Sequence, residues 1–500
     1  MKKTISAMFM ASLMLVTIFS VCFTVSAVSR TNDMNIIDMS SVSEDGSGGG
    51  VAKWTFIAYL DGDNNLDEYL MKILNHMERV GSTDDVEIVA QIDRGRQSFL
   101  DWTTTRRYHV TYDDDIDNIN SEEITDWGDG IGEREVNMGH PDTLSDFVCW
   151  TIDNYPAEHY FLMLCDHGQG WDGICYDYSS LGDCLTLKDL KNAFGIINEH
   201  LKDKIDVVWF NACGMGTLEV YYELKDSFDL GISSEDLGYF HPEMGALPRL
   251  SLNALNEAPN INPTDIAILT AENCVEYNEL SGNSSYRDAS VIDPSADKID
   301  EIVEKTNNLA MLLIEKLSEY KSNITTAVQH SPCFDGPVIN FFKRNYQIDL
   351  YVFAYQIKEK ISNPEIQDAA QDVMDAITET ELVVNSFSTH EPHQSQGFSV
   401  LEPSFTLEED KSVPDDYLDL DFAKHTQWDE FVYEFSKKSK DSSNTKSLPL
   451  QRVVRSFTLE ADDNLLSVVL KKLFTKPRTT TNSGSNLINA IFSKLLLNQR

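Results

Sequence analysis

The sequence is short of positive charge. Against 81 Asp and Glu it carries only 40 Lys and Arg, a formal net charge of −41 over 500 residues. Nucleic acid is therefore an unsuitable partner, because phosphate binding needs clustered cations. Long apolar runs are as scarce. After the first 27 residues, no stretch is long and apolar enough to span a bilayer, so stable membrane insertion is not expected once that segment is removed. Cysteine is sparse, at positions 22, 149, 165, 175, 184, 213, 274 and 333. No Cys-x-x-Cys motif occurs, which argues against a thiol–disulfide function, and no metal-ligand spacing is found among them.

What is present begins with an export signal. Lys2 and Lys3 precede an apolar core around Met8 to Val25, and Val25-Ser-Ala27 fits a cleavage site. An uncleaved anchor is the other reading of this segment. Residues 28–52 are rich in Ser, Asp and Gly and read as a linker or propeptide. Without Cys22, seven cysteines remain, an odd number that leaves a free thiol. Cys213 is the natural candidate, while Cys175 and Cys184 share one loop and could pair.

The chemistry gathers between Tyr160 and Thr217. Tyr160-Phe-Leu-Met-Leu-Cys-Asp-His167-Gly168 and Ile205-Asp-Val-Val-Trp-Phe-Asn211-Ala-Cys213-Gly214 are apolar runs too short for helices. Each reads as a buried parallel strand ending at a polar residue and a glycine. A helical pattern, Leu187 to Leu201, separates them. A strand–helix–strand crossover puts both strand ends on one edge of the sheet. His167 and Cys213 then meet outside the carboxyl ends of two strands, where open α/β sheets bind ligands. An imidazole beside a thiol can generate the nucleophilic thiolate and later protonate a leaving amine. Such chemistry calls for no cofactor.

These residues carry a resemblance. Cys-Asp-His167-Gly-Gln-Gly-Trp and Phe-Asn-Ala-Cys213-Gly-Met-Gly-Thr-Leu-Glu219 resemble the clostripain family of cysteine peptidases, family C11, which shares the caspase-like fold. Trp54-Thr-Phe-Ile-Ala-Tyr-Leu-Asp61-Gly-Asp-Asn-Asn-Leu-Asp67, Asp349-Leu-Tyr-Val-Phe and Gln396-Gly397-Phe-Ser-Val-Leu-Glu-Pro403 extend it over roughly residues 53 to 430. The resemblance implies an endopeptidase acting on peptides or proteins, with Cys213 as nucleophile and His167 as acid and base. Gly168 and Cys213 would offer oxyanion amides. The loop holding Glu235 and Asp236 would line the pocket for the substrate side chain, where an acid suits Arg or Lys. Asn211 stands where family members often carry Asp, and Gly214 where they often carry Leu. These departures support an alternative, an inactive secreted binding protein that keeps the fold.

The expected fold is α/β, a mostly parallel caspase-like sheet flanked by helices and followed by a mainly helical region. Residues 53–255 form the catalytic domain and 256–435 the helical region in this reading. Residues 436–500 form a basic, low-complexity tail with two short amphipathic stretches, Leu465–Phe474 and Leu487–Leu497. Asp61 to Asp67 imitates a calcium loop at alternate positions, but Leu66 replaces the central Gly and Lys72 the closing Glu. It is read as a turn leading into a helix from Leu66 to Val80. His390 and His393 form a pair without an evident third ligand, so no metal site is expected. The sequence assigns no oligomeric state.

Overall fold

The computed structural model describes residues 51–95, 102–236, 246–281, 288–335, 346–388, 397–401 and 413–436. The signal segment, the linker up to residue 50, His390 and His393, and the tail from 437 lie outside the described residues.

Strands are formed by Ala52–Gly62 (β1), Val86–Arg94 (β2), Arg106–His109 (β3), Glu122–Glu123 (β4), Ala157–Cys165 (β5), Ile174–Asp177 (β6) and Asp183–Leu185 (β7). They continue with Ile205–Asn211 (β8), Phe228–Ser233 (β9), Asp288–Ile292 (β10), Cys333–Asp335 (β11), Tyr346–Asp349 (β12), Val383–Ser388 (β13) and Ser399–Leu401 (β14). Nine of them build one sheet in the order β13-β10-β9-β8-β5-β1-β2-β3-β4. Its centre, β2-β1-β5-β8-β9, is parallel. Its two edges are antiparallel. The expected mostly parallel sheet is therefore present. The region after residue 256, read as helical, also supplies two of its strands, β10 and β13.

Alternation along the central strands divides the core. Ile57, Tyr59, Leu162, Leu164, Val208 and Phe210 face helices Pro141–Asn154 and Leu187–Leu201. Phe56, Ala58, Phe161, Met163, Val207 and Trp209 face helices Asp67–Glu78, Ala246–Glu257 and Pro263–Ser281. Strands covered on both faces must be apolar throughout, which explains the runs in the sequence. The crossover helix Leu187–Leu201 starts as expected, closed by a capping box between Thr186 and Asp189. After residue 256 come two consecutive helices, Ala296–Glu315 and Leu317–His330, parted at Lys316 with φ −99° and ψ 10°.

The expected option of a Cys175–Cys184 disulfide does not hold, since both are free thiols. On the β6–β7 hairpin, Cys184 is opposite Tyr176. Cys175, at φ +59°, turns into the main core, while Cys184 packs with Tyr176 and Tyr178. Side chains on opposite sides of a hairpin cannot be bridged without moving the backbone.

This hairpin fills the segment between His167 and the crossover helix. Residues 173–178 are buried, and the exposed tip is tied down by Ser179 N and Ser180 N donating to the carboxylates of Asp63 and Asp177. A peptidase groove needs extended, accessible backbone. Intact-mass analysis of the mature protein should find one chain across residues 168–187. Two fragments meeting there, absent from Cys213→Ala, would reject this.

Candidate active site

β5 and β8 are adjacent and parallel, with Cys165 opposite Asn211. His167 and Cys213 each stand two residues beyond this last pair. The two loops touch: a Cβ on Gly168 would lie 2.6 Å from the carbonyl oxygen of Cys213. Only glycine fits there, which accounts for the His-Gly dipeptide. Both candidate side chains are largely enclosed, with Cys213 3% and His167 9% exposed. The β6–β7 hairpin backs the histidine loop through Cys175 N donating to His167 O at 3.2 Å.

His167 Nε2 lies 2.9 Å from Asn65 Oδ1. Burial, which penalises the cation, holds its pKa down to about 4. Near neutral pH the imidazole is therefore neutral and can accept a proton. Asn65 was missed in the sequence. A signal existed, because Asp61–Asp67 follows an apolar strand that joins the same sheet edge, with Leu60 opposite Cys165.

The loop is the expected turn into a helix. The helix spans Asp67–Glu78, and its N-cap residue, Leu66, has no side chain that could cap it. Asn64 Oδ1 accepts from Leu66 N at the helix start, and the loop's other polar groups reach distant segments. Asn64 Nδ2 donates to Asp166 Oδ1 at 2.8 Å, and Asp67 pairs with Arg94 at 2.7 Å. The helix that follows Cys213 spans Leu218–Glu223, with Thr217 as its N-cap. One and a half turns give little dipole to favour a thiolate.

The remaining candidates are placed as follows. Asn211 is buried below the nucleophile, its Nδ2 donating to Cys165 Sγ at 3.3 Å and Met163 Sδ at 3.7 Å. Glu235 is buried and accepts from Ser399 Oγ at 2.7 Å and Gly397 N at 3.3 Å. Desolvation, with Asp349 and Asp288 nearby, raises its pKa well above the usual carboxylate range. Asp236 is next along the chain, and its carbonyl oxygen receives Gly214 N at 3.1 Å. The loop of Glu235 and Asp236 is thus joined to the Cys213 loop through backbone.

Beside the site, oxygens of Asp63, Asp93 and Asp177 come within 4.8 Å of one another, all buried. Asp61 is buried alongside them, and Asp61 Oδ2 and Asp93 Oδ2 accept no hydrogen bond. The sequence reading discounted a cation loop because Asp61–Asp67 fails the template. The folded cluster is drawn from separate segments, which a local template cannot see. An all-carboxylate set of this kind suits a hard divalent cation. Without one, protons must relieve the repulsion, and desolvation raises Asp63 to about 7.

The combination defines a class: a Cys–His pair on adjacent parallel strand ends of a caspase-like sheet, the arrangement of a cysteine peptidase fold. Residues 58–440 match the model of the clostripain family, and the chain belongs to that family. It is 28% identical to clostripain of Hathewaya histolytica over 226 residues, 40% of this chain and 41% of that one. The alignment thus spans less than half of that relative. Its fold is similar to a secreted C11 cysteine protease of Bacteroides thetaiotaomicron, solved with an irreversible peptide inhibitor. The TM-score is 0.52 at 19% identity, covering 76% of this chain and 100% of that one. An inactive zymogen C11 protease of Parabacteroides distasonis gives 0.50 at 17% identity, covering 75% and 99%.

The acid cluster sets a pH trend. Asp63 titrates near 7 when folded and near the ordinary carboxylate value when unfolded, so the folded state binds the extra proton between them. Its contribution to stability is full below about pH 4 and is lost as pH rises through about 7. With a chelator present, Asp63→Asn should gain melting temperature relative to wild type between about pH 5 and about pH 8. Millimolar calcium should narrow that gap at the upper end. A gap that stays constant across the interval rejects the assignment.

Proposed function

We propose that this chain is a secreted cysteine endopeptidase that cuts after Arg or Lys. The supporting observation is the register of β5 and β8, which sets His167 and Cys213 at equivalent positions on touching loops. Neutral His167 takes the proton of the Cys213 thiol as the sulfur attacks the substrate carbonyl carbon. The oxyanion that forms is received by the amides of Gly168 and Cys213. The tetrahedral intermediate collapses as the imidazolium protonates the leaving amine, leaving an acyl-enzyme. Water, deprotonated by the same imidazole, then releases the acid and restores the thiol. Asn65 holds the ring through Nε2, leaving Nδ1 for the proton exchange.

For specificity, Glu235 is already committed to Ser399 and Gly397 and braces the pocket wall. Asp236 is the carboxylate assigned to the basic side chain. Asn211 supports the strand end beneath Cys213 through its sulfur contacts. Export rests on the signal segment 1–27, in keeping with a fold relative described as secreted. The catalytic unit is assigned to 53–255, with 256–435 completing its sheet.

The dyad acts as a unit, so its losses should not add. Cys213→Ala, His167→Ala and the double variant should show similarly low peptide hydrolysis. A wild-type rate in Cys213→Ala would sink the assignment, and labelling with a thiol-reactive peptide probe separates an enzyme from an inert binding protein. Because His167 is held to about 4 in the free protein, the acid limb of kcat/KM should fall well below the ordinary histidine range. An acid limb at that ordinary value would show that the imidazole is not desolvated in solution.

Asp236→Ala should lower kcat/KM for substrates cut after Arg by roughly 10- to 100-fold, the effect of about 1–3 kcal/mol. Peptide-library profiling tests this. Cleavage mainly after Asp, Asn or apolar residues would refute the basic preference.

A further inference from the structure

β12 belongs to a three-stranded sheet, β11-β12-β14, formed by residues distant in sequence from the dyad. That sheet reaches the nucleophile loop. Ser399 N donates to Gly216 O at 2.9 Å, and Thr217 bridges to Ser399. From β12, the side chain of Gln347, only 2% exposed, inserts between the two catalytic loops. Its Nε2 donates to the carbonyl oxygen of Gly214 at 2.9 Å.

Both loops are shaped around this amide. A Cβ on Gly170, at φ +56°, would lie 2.4 Å from Gln347 Nε2. One on Gly214, at φ +62°, would lie 3.2 Å from the same atom. Glycine is therefore needed at each position for conformation, and at Gly170 for space as well. Gly214 is held on both sides, its N–H by Asp236 O and its carbonyl by Gln347. The amide's orientation follows from chemistry, because its oxygen turned toward the Gly214 carbonyl would be repelled. Gln347 Oε1 is buried and accepts no hydrogen bond.

We infer that Gln347 is a positioning residue: its amide fixes the Cys213–Gly214 peptide, and with it the nucleophile and its amide, against the His167 loop. This rests on the peptidase reading above. It also assigns a task to the region after residue 256, which showed no chemistry in the sequence.

Two variants and two readouts test it, the full secreted chain being used throughout. Gln347→Met keeps the volume and removes both polar atoms. Its kcat on an Arg peptide should fall at least tenfold, with KM within about twofold and melting temperature equal or higher. Gln347→Glu can donate to the Gly214 carbonyl only while protonated. Its rate relative to wild type should therefore fall at least tenfold from about pH 5 to about pH 9, in turnover and in alkylation of Cys213 by iodoacetamide. Gln347→Met should show a flat ratio in both. Active wild type with both variants matching it overturns the inference and leaves the peptidase reading standing. A kcat loss in Gln347→Met accompanied by a comparable loss of melting temperature makes Gln347 a packing residue and also overturns it. If wild type hydrolyses no peptide while the Gln347→Glu alkylation ratio still falls with pH, the peptidase reading fails and the positioning role survives.

Discussion

The structure depends on one register. β5 and β8 run parallel as neighbours, with Cys165 opposite Asn211, and His167 and Cys213 both stand two residues past that pair. The right-handed crossover through Leu187–Leu201 forces both strand ends to one edge. A slip of one residue would turn every alternating side chain to the other face and bury the wrong half of each strand. The two cores, one on each face, therefore hold His167 and Cys213 in place from a distance.

At that edge the protein accumulates negative charge under enclosure. Asp61, Asp63, Asp93, Asp166 and Asp177 are all buried beside the histidine loop. Arg94, the nearby cation, is matched to Asp67. Burial raises Asp61, Asp63, Asp93 and Asp166 while lowering His167, for the same reason: each charged form loses water. These acids also shape the loops. Asp166 receives Asn64, and the Asp63 and Asp177 carboxylates receive amides of the hairpin tip. The site is thus set by buried polar groups, and electrostatics near it are strong because water is excluded.

The other determinant is distance along the chain. Loops 166–173, 213–217 and 234–236 meet strands β12 and β14 from beyond residue 345, while loop 61–67 joins the histidine loop. Asn65, Glu235 and Gln347 each act through a partner more than a hundred residues away. Glu235 illustrates the consequence. Its charge alone reads as a recognition group, yet the strand carrying Ser399 occupies it.

The sequence by itself determined the class of fold and the crossover, and it placed His167 and Cys213 at the ends of neighbouring strands. Apolar runs of strand length, a capped helix between them and the His-Gly and Cys-Gly endings are local signals, and parallel packing leaves few topologies for them. Only the tertiary structure decided what surrounds the dyad. Asp61–Asp67 reads in sequence as a turn into a helix, whereas its partners Asp166, His167 and Arg94 come from elsewhere. The acid cluster, the separation of Cys175 from Cys184 and the Gln347 brace have no periodicity or spacing to betray them. They arise from long-range contacts between segments, and contacts of that kind are fixed by packing after the strands have found their register.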